Sequence, residues 1–238
     1  MKVLFINENI GGHVTVHHHL RRALADHPHV QATFLDVPPP GPARRIVGAA
    51  VPGLGRLDLD LQPLRAQLAL SVVVRRRLER LIDDVDVVHL YTQNAGLVSL
   101  SLFRRRPLVI SLDTTNARNA YRLPYRAPTR FTPWSVPMSM WFERRLFAEA
   151  RTIVANSEWA ASSLRDDYGL SDDRVVVVPA GIEAPVVERR RSVGDRPTIV
   201  FLGRQLERKG GLELLDAWRQ NVADRARGQP LVAAVGRG

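Results

Sequence analysis

Residues 152–178 read TIVANSEWAASSLRDDYGLSDDRVVVV, and this stretch decides the predicted fold. An apolar strand ends shortly before Ser157, which is a good N-cap for a helix over 159–168. Gly169 is a good helix terminator, and the four valines at 175–178 predict a second strand. The order strand, helix, strand is typical of two parallel strands joined by a crossover helix.

The same alternation continues toward the N-terminus. The predicted strands are 3–6, 30–37, 86–91 and 107–112, and the predicted helices are 13–25, 64–82 and 138–146. Unbroken runs of Val, Ile and Leu are typical of strands that are buried on both faces. The sequence therefore predicts an α/β fold with a mainly parallel, Rossmann-like sheet covered by helices on both sides.

Two long stretches without a clear pattern lie at 38–60 and 113–137. Loops of this length in an α/β domain are typically functional lids or mobile segments. A charged, glycine-containing linker is predicted at 188–196, so the first domain would span 1–187 and the second 197–238. Two strands and one helix are too few to bury an adequate core, so we expect the second domain to be incomplete.

Composition limits the classes of partner. The chain has 34 basic and 24 acidic residues, and a net charge of +10 favours polyanionic partners. Cysteine is absent, which excludes disulfides, thiolate catalysis and Cys-based metal sites. No motif that reads nucleic acid is present, so we expect no nucleic-acid partner. No apolar run is long enough to span a membrane, and we expect a cytoplasmic protein that is either soluble or attached peripherally to the inner face of the membrane.

A basic turn follows the predicted strand of the second domain. Residues 201–211 read FLGRQLERKGG, with Gly203, Arg204 and Lys209 at the mouth of a helix. A helix N-terminus favours anions, and arginine and lysine bind phosphate oxygens. The turn is therefore a candidate phosphate site, although solvated basic residues at a strand–helix turn would give the same pattern.

Gly11 and Gly12 stand at a similar place after the first strand, either as ligand-facing or as simple turn residues. They do not form the GxGxxG pattern, so dinucleotide binding is poorly supported. His13 and His17 lie four residues apart on a helix, which suits two metal ligands. No third ligand is near in sequence, so we predict solvated or locally hydrogen-bonded histidines and no metal site.

Polar residues also follow the later strands. Asp113 and Asn116 come after the strand at 107–112, and Glu158 comes after the strand that ends near residue 155. Ligands of open α/β sheets bind outside these strand ends. A helix cap or an Asx-turn would explain Asp113 equally well. His89, within an apolar strand, is predicted to be a hydrogen-bonded core residue.

In this order, the segments resemble retaining glycosyltransferases of family 4, which have the GT-B fold. The resemblance rests on the glycine loop at 11–12, DVVH at 86–89, Glu143 with VANSEWAASSL, YGL and VVVVPAGIE up to residue 183, and GR with RKG at 203–210. It implies that Gly203, Arg204 and Lys209 bind the diphosphate of a nucleotide-sugar donor.

The resemblance also implies roles in the first domain. Gly11 or Gly12 would line the cleft near the donor phosphates and the acceptor. His13, Asn116 and Glu158 are candidates for the acceptor or the cleft. Many members have a histidine where this chain has Asp113, so Asp113 is a candidate catalytic residue that cannot copy a histidine's role.

The implied reaction moves a hexosyl group, with retention, from a UDP- or GDP-sugar to a hydroxyl of a sugar, lipid or glycan, without cofactor or metal. The family's pair of glutamates in the second domain lies beyond residue 238, so we expect little activity from this chain alone.

Three other functions stay open. The chain could be a non-catalytic module that binds an acceptor or a membrane surface together with a partner chain. Arginine runs at 75–77 and 104–106, with the apolar stretch 46–54, suit an anionic membrane surface. A dehydrogenase is a further alternative, which the missing GxGxxG and the basic turn disfavour. A sugar-nucleotide epimerase of similar two-domain fold also stays open, and analysis of the products formed without an acceptor would reveal it.

Overall fold

The computed structural model of the chain describes residues 1–121, 128–181, 199–202, 206–207, 209–222 and 235–236. These residues belong to two compact units, Met1–Ala184 and Pro185–Gly238. The predicted linker at 188–196 lies outside the described residues.

The first unit is built on one sheet of six strands. The strands are β1 (Lys2–Asn7), β2 (Gln31–Asp36), β3 (Val87–Tyr91), β4 (Leu108–Leu112), β5 (Ala150–Ala155) and β6 (Val175–Val177). Their order across the sheet is β2-β1-β3-β4-β5-β6, and every neighbouring pair is parallel. The predicted parallel α/β sheet is therefore confirmed.

Seven helices of the first unit connect these strands within the described residues. They are α1 (Gly12–Ala25), α2 (Pro42–Gly48), α3 (Gln62–Leu78), α4 (Leu100–Phe103), α5 (Asn116–Asn119), α6 (Thr132–Glu149) and α7 (Glu158–Asp166). Ser157 caps α7 by accepting a hydrogen bond from the Ala160 N–H at 3.3 Å, as predicted. Gly169 has φ +69°, a left-handed conformation that glycine adopts without strain, and the chain turns there.

The core lies on both faces of the sheet. Alternate residues of one strand point to opposite faces, yet Leu4 of β1 and its neighbours Val3 and Phe5 are all buried, and Ile110 and Ser111 of β4 repeat this pattern. Burial of each such aliphatic side chain contributes roughly 1.5–3 kcal/mol. Burial on both faces explains why the strands are unbroken apolar runs.

The two stretches predicted to be irregular contain helices, so that prediction was wrong. Residues 38–60 include α2 and a short 3-10 turn at Gly55–Leu57, and residues 113–137 include α5 and the first turns of α6. Pro42 and Pro133 stand in the first turns of α2 and α6. Proline is tolerated there because the N–H it lacks would have no partner in the helix.

The described part of the second unit has two strands and one helix. Strands β7 (Phe201–Leu202) and β8 (Val235–Gly236) pair in parallel, and α8 spans Gly211–Val222. Within the described residues, β7 and α8 agree with the strand and the helix that were predicted on either side of the basic turn.

Candidate active site

The strand order creates a crevice at one edge of the first unit's sheet. After β1 the chain forms β2 on one side, and it later returns to form β3 on the other side of β1. At such a switch point the connections leave toward opposite faces, and ligands bind outside the carboxyl ends of the strands. The residues directly after β1, β3 and β4 therefore form the candidate site.

Glu8, the first residue after β1, ties two strand ends together. Its buried carboxylate accepts hydrogen bonds from the Thr92 hydroxyl at 3.0 Å and from the Asn94 amide at 3.4 Å. Its backbone N–H donates to the Tyr91 carbonyl at 3.0 Å. Sequence reasoning missed Glu8, although an acidic residue directly after the first strand was the available signal.

His13 links Glu8 to Asp113. Gly11, with φ +51°, precedes α1 and lets the chain turn so that His13 stands in the first turn of that helix. The Nδ1 atom of His13 lies 2.9 Å from Oε1 of Glu8, and its Nε2 atom lies 3.6 Å from Oδ2 of Asp113. The imidazole is thus held between two carboxyl groups that come from different strands.

The electrostatics follow from this placement. Burial would lower the pKa of His13, but its contacts with Asp113 and Glu8 and their negative charge outweigh burial and raise that pKa to about 9. Burial would raise the pKa of Asp113, but the cationic His13 and backbone N–H groups lower it. At neutral pH the site therefore presents a protonated imidazole beside an ionised Asp113.

The two carboxyl groups differ in access. The Asp113 side chain keeps 53% of its surface exposed, whereas that of Glu8 keeps 3%. A ligand hydroxyl can reach Asp113, while Glu8 can act only by holding His13 and the strand ends. The structure places Asp113 at the carboxyl end of β4, and its catalytic role stays a prediction.

A second buried glutamate supports the connections that follow β3 and β4. Glu143 of α6 is wholly buried and accepts hydrogen bonds from the Gln93 amide at 2.9 Å, the Asn116 N–H at 3.2 Å and the Tyr168 hydroxyl. The same Gln93 amide donates to the Thr114 carbonyl at 3.0 Å. Burial raises the pKa of Glu143 to about 7, although these hydrogen bonds oppose the shift. Its carboxyl group fixes the backbone on either side of Asp113.

The other predicted acceptor residues have different surroundings. The side chain of Asn116 exchanges two hydrogen bonds with Gln67, at 3.1 and 3.3 Å, so it is already paired. Glu158 begins α7 with its side chain 70% exposed and forms an ion pair with Arg165. A side chain on Gly12 would meet no atom within 4 Å, so open space adjoins the start of α1.

The predicted donor-phosphate residues belong to the second unit. Lys209 is exposed in the turn before α8, and the following Gly210 has φ +78°. Gly203 and Arg204 lie outside the described residues. The phosphate role of all three stays a prediction.

The remaining histidines of interest are paired within the fold. His17 Nδ1 lies 3.0 Å from Asp36 Oδ1, and burial lowers the pKa of His17. His89 Nε2 lies 2.8 Å from the Ser111 hydroxyl, and burial lowers the pKa of His89 to about 4, which agrees with the predicted core residue. In the part of the chain that the structure describes, no cluster of three or more His, Asp or Glu side chains is arranged to hold a metal ion.

The arginine runs are largely committed to local contacts. Arg75 lies 3.1 Å from Glu79 and donates to the Val98 carbonyl at 2.7 Å, while Arg104 lies 2.6 Å from Glu149. The runs are therefore poorer membrane contacts than their sequence indicates. Among the described helices, none combines the length and the apolarity that a membrane crossing requires.

A family model and a curated relative match the sequence of the chain. The family model described as Glycosyltransferase Family 4 matches residues 10–184. D-inositol 3-phosphate glycosyltransferase from Nocardia farcinica is 32% identical in an alignment of 198 positions that covers 73% of this chain but only 41% of that protein.

Solved structures with some likeness include a UDP-glucosyltransferase from Polygonum tinctorium, at TM-score 0.45 and 15% identity over 77% of this chain and 53% of that one. Another is Arabidopsis thaliana UGT89C1 complexed with UDP-L-rhamnose, at TM-score 0.45 and 14% identity over 100% of this chain and 69% of that one.

Proposed function

The chain belongs to Glycosyltransferase Family 4, and we propose that it supplies the acceptor side of a sugar transfer from a nucleotide-sugar to an acceptor hydroxyl. The observation that carries the proposal is the Glu8–His13–Asp113 cluster at the switch point of the sheet. The match covers only 41% of the relative's length, so sugar transfer as a whole is proposed for the protein and is not taken from the relative.

In this proposal Asp113 accepts a hydrogen bond from the acceptor hydroxyl and orients it toward the sugar. The protonated His13 keeps Asp113 ionised, and Glu8 keeps the imidazole in place. Orientation of two reactants contributes more to such a step than acid–base strength, because it replaces a bimolecular encounter. Glu143 holds the backbone around Asp113 and does not touch the substrate.

On the donor side, we assign the diphosphate to Arg204 and Lys209, because their charges can bind phosphate oxygens, and to Gly203, because glycine permits close approach of a ligand. We also assign Gly11 and Gly12 to binding of the donor phosphates. Two cations offset the charge that develops on the leaving diphosphate. We propose retention of anomeric configuration with the acceptor attacking from the face that the diphosphate leaves, a UDP- or GDP-linked hexose as donor, and no metal or cofactor.

The test is turnover with radiolabelled UDP- and GDP-sugars and a panel of sugar, lipid and glycan acceptors. We would assay the 238-residue chain and the longest product that its gene encodes, each as wild type and as Asp113→Asn. We expect the variant to lower kcat/KM by roughly 100-fold or more, because the hydroxyl loses its charged hydrogen-bond acceptor.

A matched control is Glu79→Gln, an exposed residue of the same unit, which should leave turnover unchanged. Donor hydrolysis or transfer that is equal in wild type and Asp113→Asn would contradict the assignment of Asp113. No turnover by either product, together with binding of an acceptor, would favour the non-catalytic module instead.

A further inference from the structure

Helix α6 carries an apolar face that the core does not use. Trp134, Met138 and Trp141 are 77%, 47% and 50% exposed, and the exposed Pro137 lies between them. The spacing i, i+4, i+7 puts the three large side chains on one side of the helix. We call these four residues the α6 apolar face.

This face is unusual because α6 already has a buried side. Val136, Glu143, Leu146 and Phe147 pack inward, so the outward side should be polar in a helix that faces water. Two tryptophans and a methionine occupy it instead. Large exposed apolar patches mark places where another molecule binds.

Arginines flank the α6 apolar face. The guanidinium carbon of Arg145 lies 4.5 Å from the Trp141 ring centre, and Arg144 beside it is also exposed. Near the first turn, the Arg130 guanidinium carbon lies 4.6 Å from the Phe131 ring. Positive charge therefore lies at both ends of the apolar stripe.

A cavity of about 410 Å³ adjoins the same face. Its walls combine the arginines at 75, 104 and 145 with apolar groups that include Leu97, Leu100 and Trp141. Arg75 and Arg104 are paired with glutamates, as described above, so Arg145 is the cation that this wall can offer most readily. Cationic and apolar groups in one cavity suit a molecule that joins an anionic group to a hydrocarbon chain.

A segment attached to the start of α6 also carries exposed apolar side chains. Asp58 accepts hydrogen bonds from the hydroxyls of Thr132 and Ser135 at 2.8 and 3.1 Å, which fastens the segment 46–59 to the start of α6. Within that segment Ile46 is 75% exposed, and Val51 and Leu54 are also exposed.

We infer that the α6 apolar face docks the protein on an anionic lipid bilayer. Tryptophan rings are favoured at the boundary between headgroups and acyl chains, and arginine attracts anionic headgroups. The tryptophans in the middle of this face can therefore lie at the edge of the acyl chains, while the arginines at both ends contact the headgroups. A protein partner would supply acidic side chains for these arginines, whereas a bilayer supplies phosphate over any area. The inference does not depend on the proposed sugar transfer.

The test is co-sedimentation of the 238-residue chain with vesicles, either of phosphatidylcholine alone or of phosphatidylcholine and phosphatidylglycerol in equal parts. We expect binding to the anionic vesicles that is at least about tenfold tighter. The double variant Trp134→Ser/Trp141→Ser should weaken it at least about tenfold, and Arg145→Gln about fivefold. The matched control is Trp159→Ser on α7, which is 37% exposed in the wild type and should bind like it.

A second measurement identifies the part of the molecule that enters the bilayer. Lipids brominated near the headgroup should quench tryptophan fluorescence in the wild type and in Trp159→Ser, and much less in the double variant. Absence of binding by the wild type, or equal binding by the double variant and the control, would overturn the inference. Light scattering would also overturn it if the wild type and the control are dimers and the double variant is a monomer. The face would then be a contact between two copies of the chain.

Discussion

Two buried glutamates connect the strand ends of the first unit, and they differ in what they meet. Glu8 lies beside a cation, the His13 imidazole, whose Nε2 faces a half-exposed aspartate. Glu143 meets only neutral donors, which are an amide, a backbone N–H and a hydroxyl. The first arrangement holds charge where a ligand can reach it, and the second holds the backbone beside it. The chemistry should therefore depend on the Glu8 cluster, and much of the stability on the Glu143 cluster.

The largest effect should come from Glu143→Ala. The substitution leaves the Gln93 amide, the Asn116 N–H and the Tyr168 hydroxyl without their buried acceptor. We expect the free energy of unfolding to fall by about 4 kcal/mol, measured by urea denaturation. The exposed Glu79→Ala should change it by less than about 0.5 kcal/mol. A loss below about 1 kcal/mol for Glu143→Ala would mean that the cluster is not a structural support.

Glu143→Gln removes the ionisable group of Glu143 and keeps the size of its side chain. The folded-state pKa of Glu143, about 7, lies above its usual 4.5, so the folded state binds the proton more tightly. Its contribution to stability is fully present below pH 4.5 and is lost as the pH rises to about 7. The loss corresponds to about 3 kcal/mol. Denaturation across this range should show a smaller decline for Glu143→Gln, and equal declines would contradict the assignment.

His13→Gln tests the other cluster in a higher pH range. The pKa of His13 is raised from 6.5 to about 9, so its contribution is fully present below pH 6.5 and is lost as the pH approaches 9. We expect the wild type to lose about 3 kcal/mol across this range, and the variant to lose much less. His19→Gln, on the same helix, is the control and should behave as the wild type does. A wild-type free energy of unfolding that is constant from pH 6.5 to 9 would contradict the claim that Glu8, unlike Glu143, lies beside a cation.

Asp113→Asn should have the smallest effect on stability. The side chain is half-exposed, so we expect a change below about 1 kcal/mol. The charge of Asp113 contributes to the raised pKa of His13, so that pKa should move down from about 9. An NMR titration of the His13 ring in wild type and variant measures the shift. An unchanged pKa would mean that Glu8 alone controls the histidine.

The strands of the first unit could be predicted from sequence because each is an apolar run, as at 86–91 and 107–112. Helix α2 could not, since Pro42 favours a loop in a local pattern although it suits the first turn of a helix. The site was predicted in part. Asp113 stands directly after a patterned strand, and the rule that ligands bind outside strand ends finds it. His13 drew attention through its spacing with His17 and was named as a candidate for the acceptor or the cleft.

The contacts between the residues of the site could not be predicted from the sequence. Glu8 contacts residues more than 80 positions away, and Glu143 reaches Gln93 across 50 positions. Such contacts depend on the strand order, which local spacing does not encode. A buried polar residue in a helix, such as Glu143, indicates only that a partner exists.

The parallel sheet lets the connections that form the site change in sequence independently of one another. Glu8 and His13 come from one connection, Thr92 and Asn94 from a second, and Asp113 from a third, while the ladder hydrogen bonds lie in the strands before them. One connection can therefore change in length or sequence while the other two keep their geometry. Gene duplicates of such a chain can explore new substrates one loop at a time, and a protein engineer can exchange the segment after β4 as a cassette.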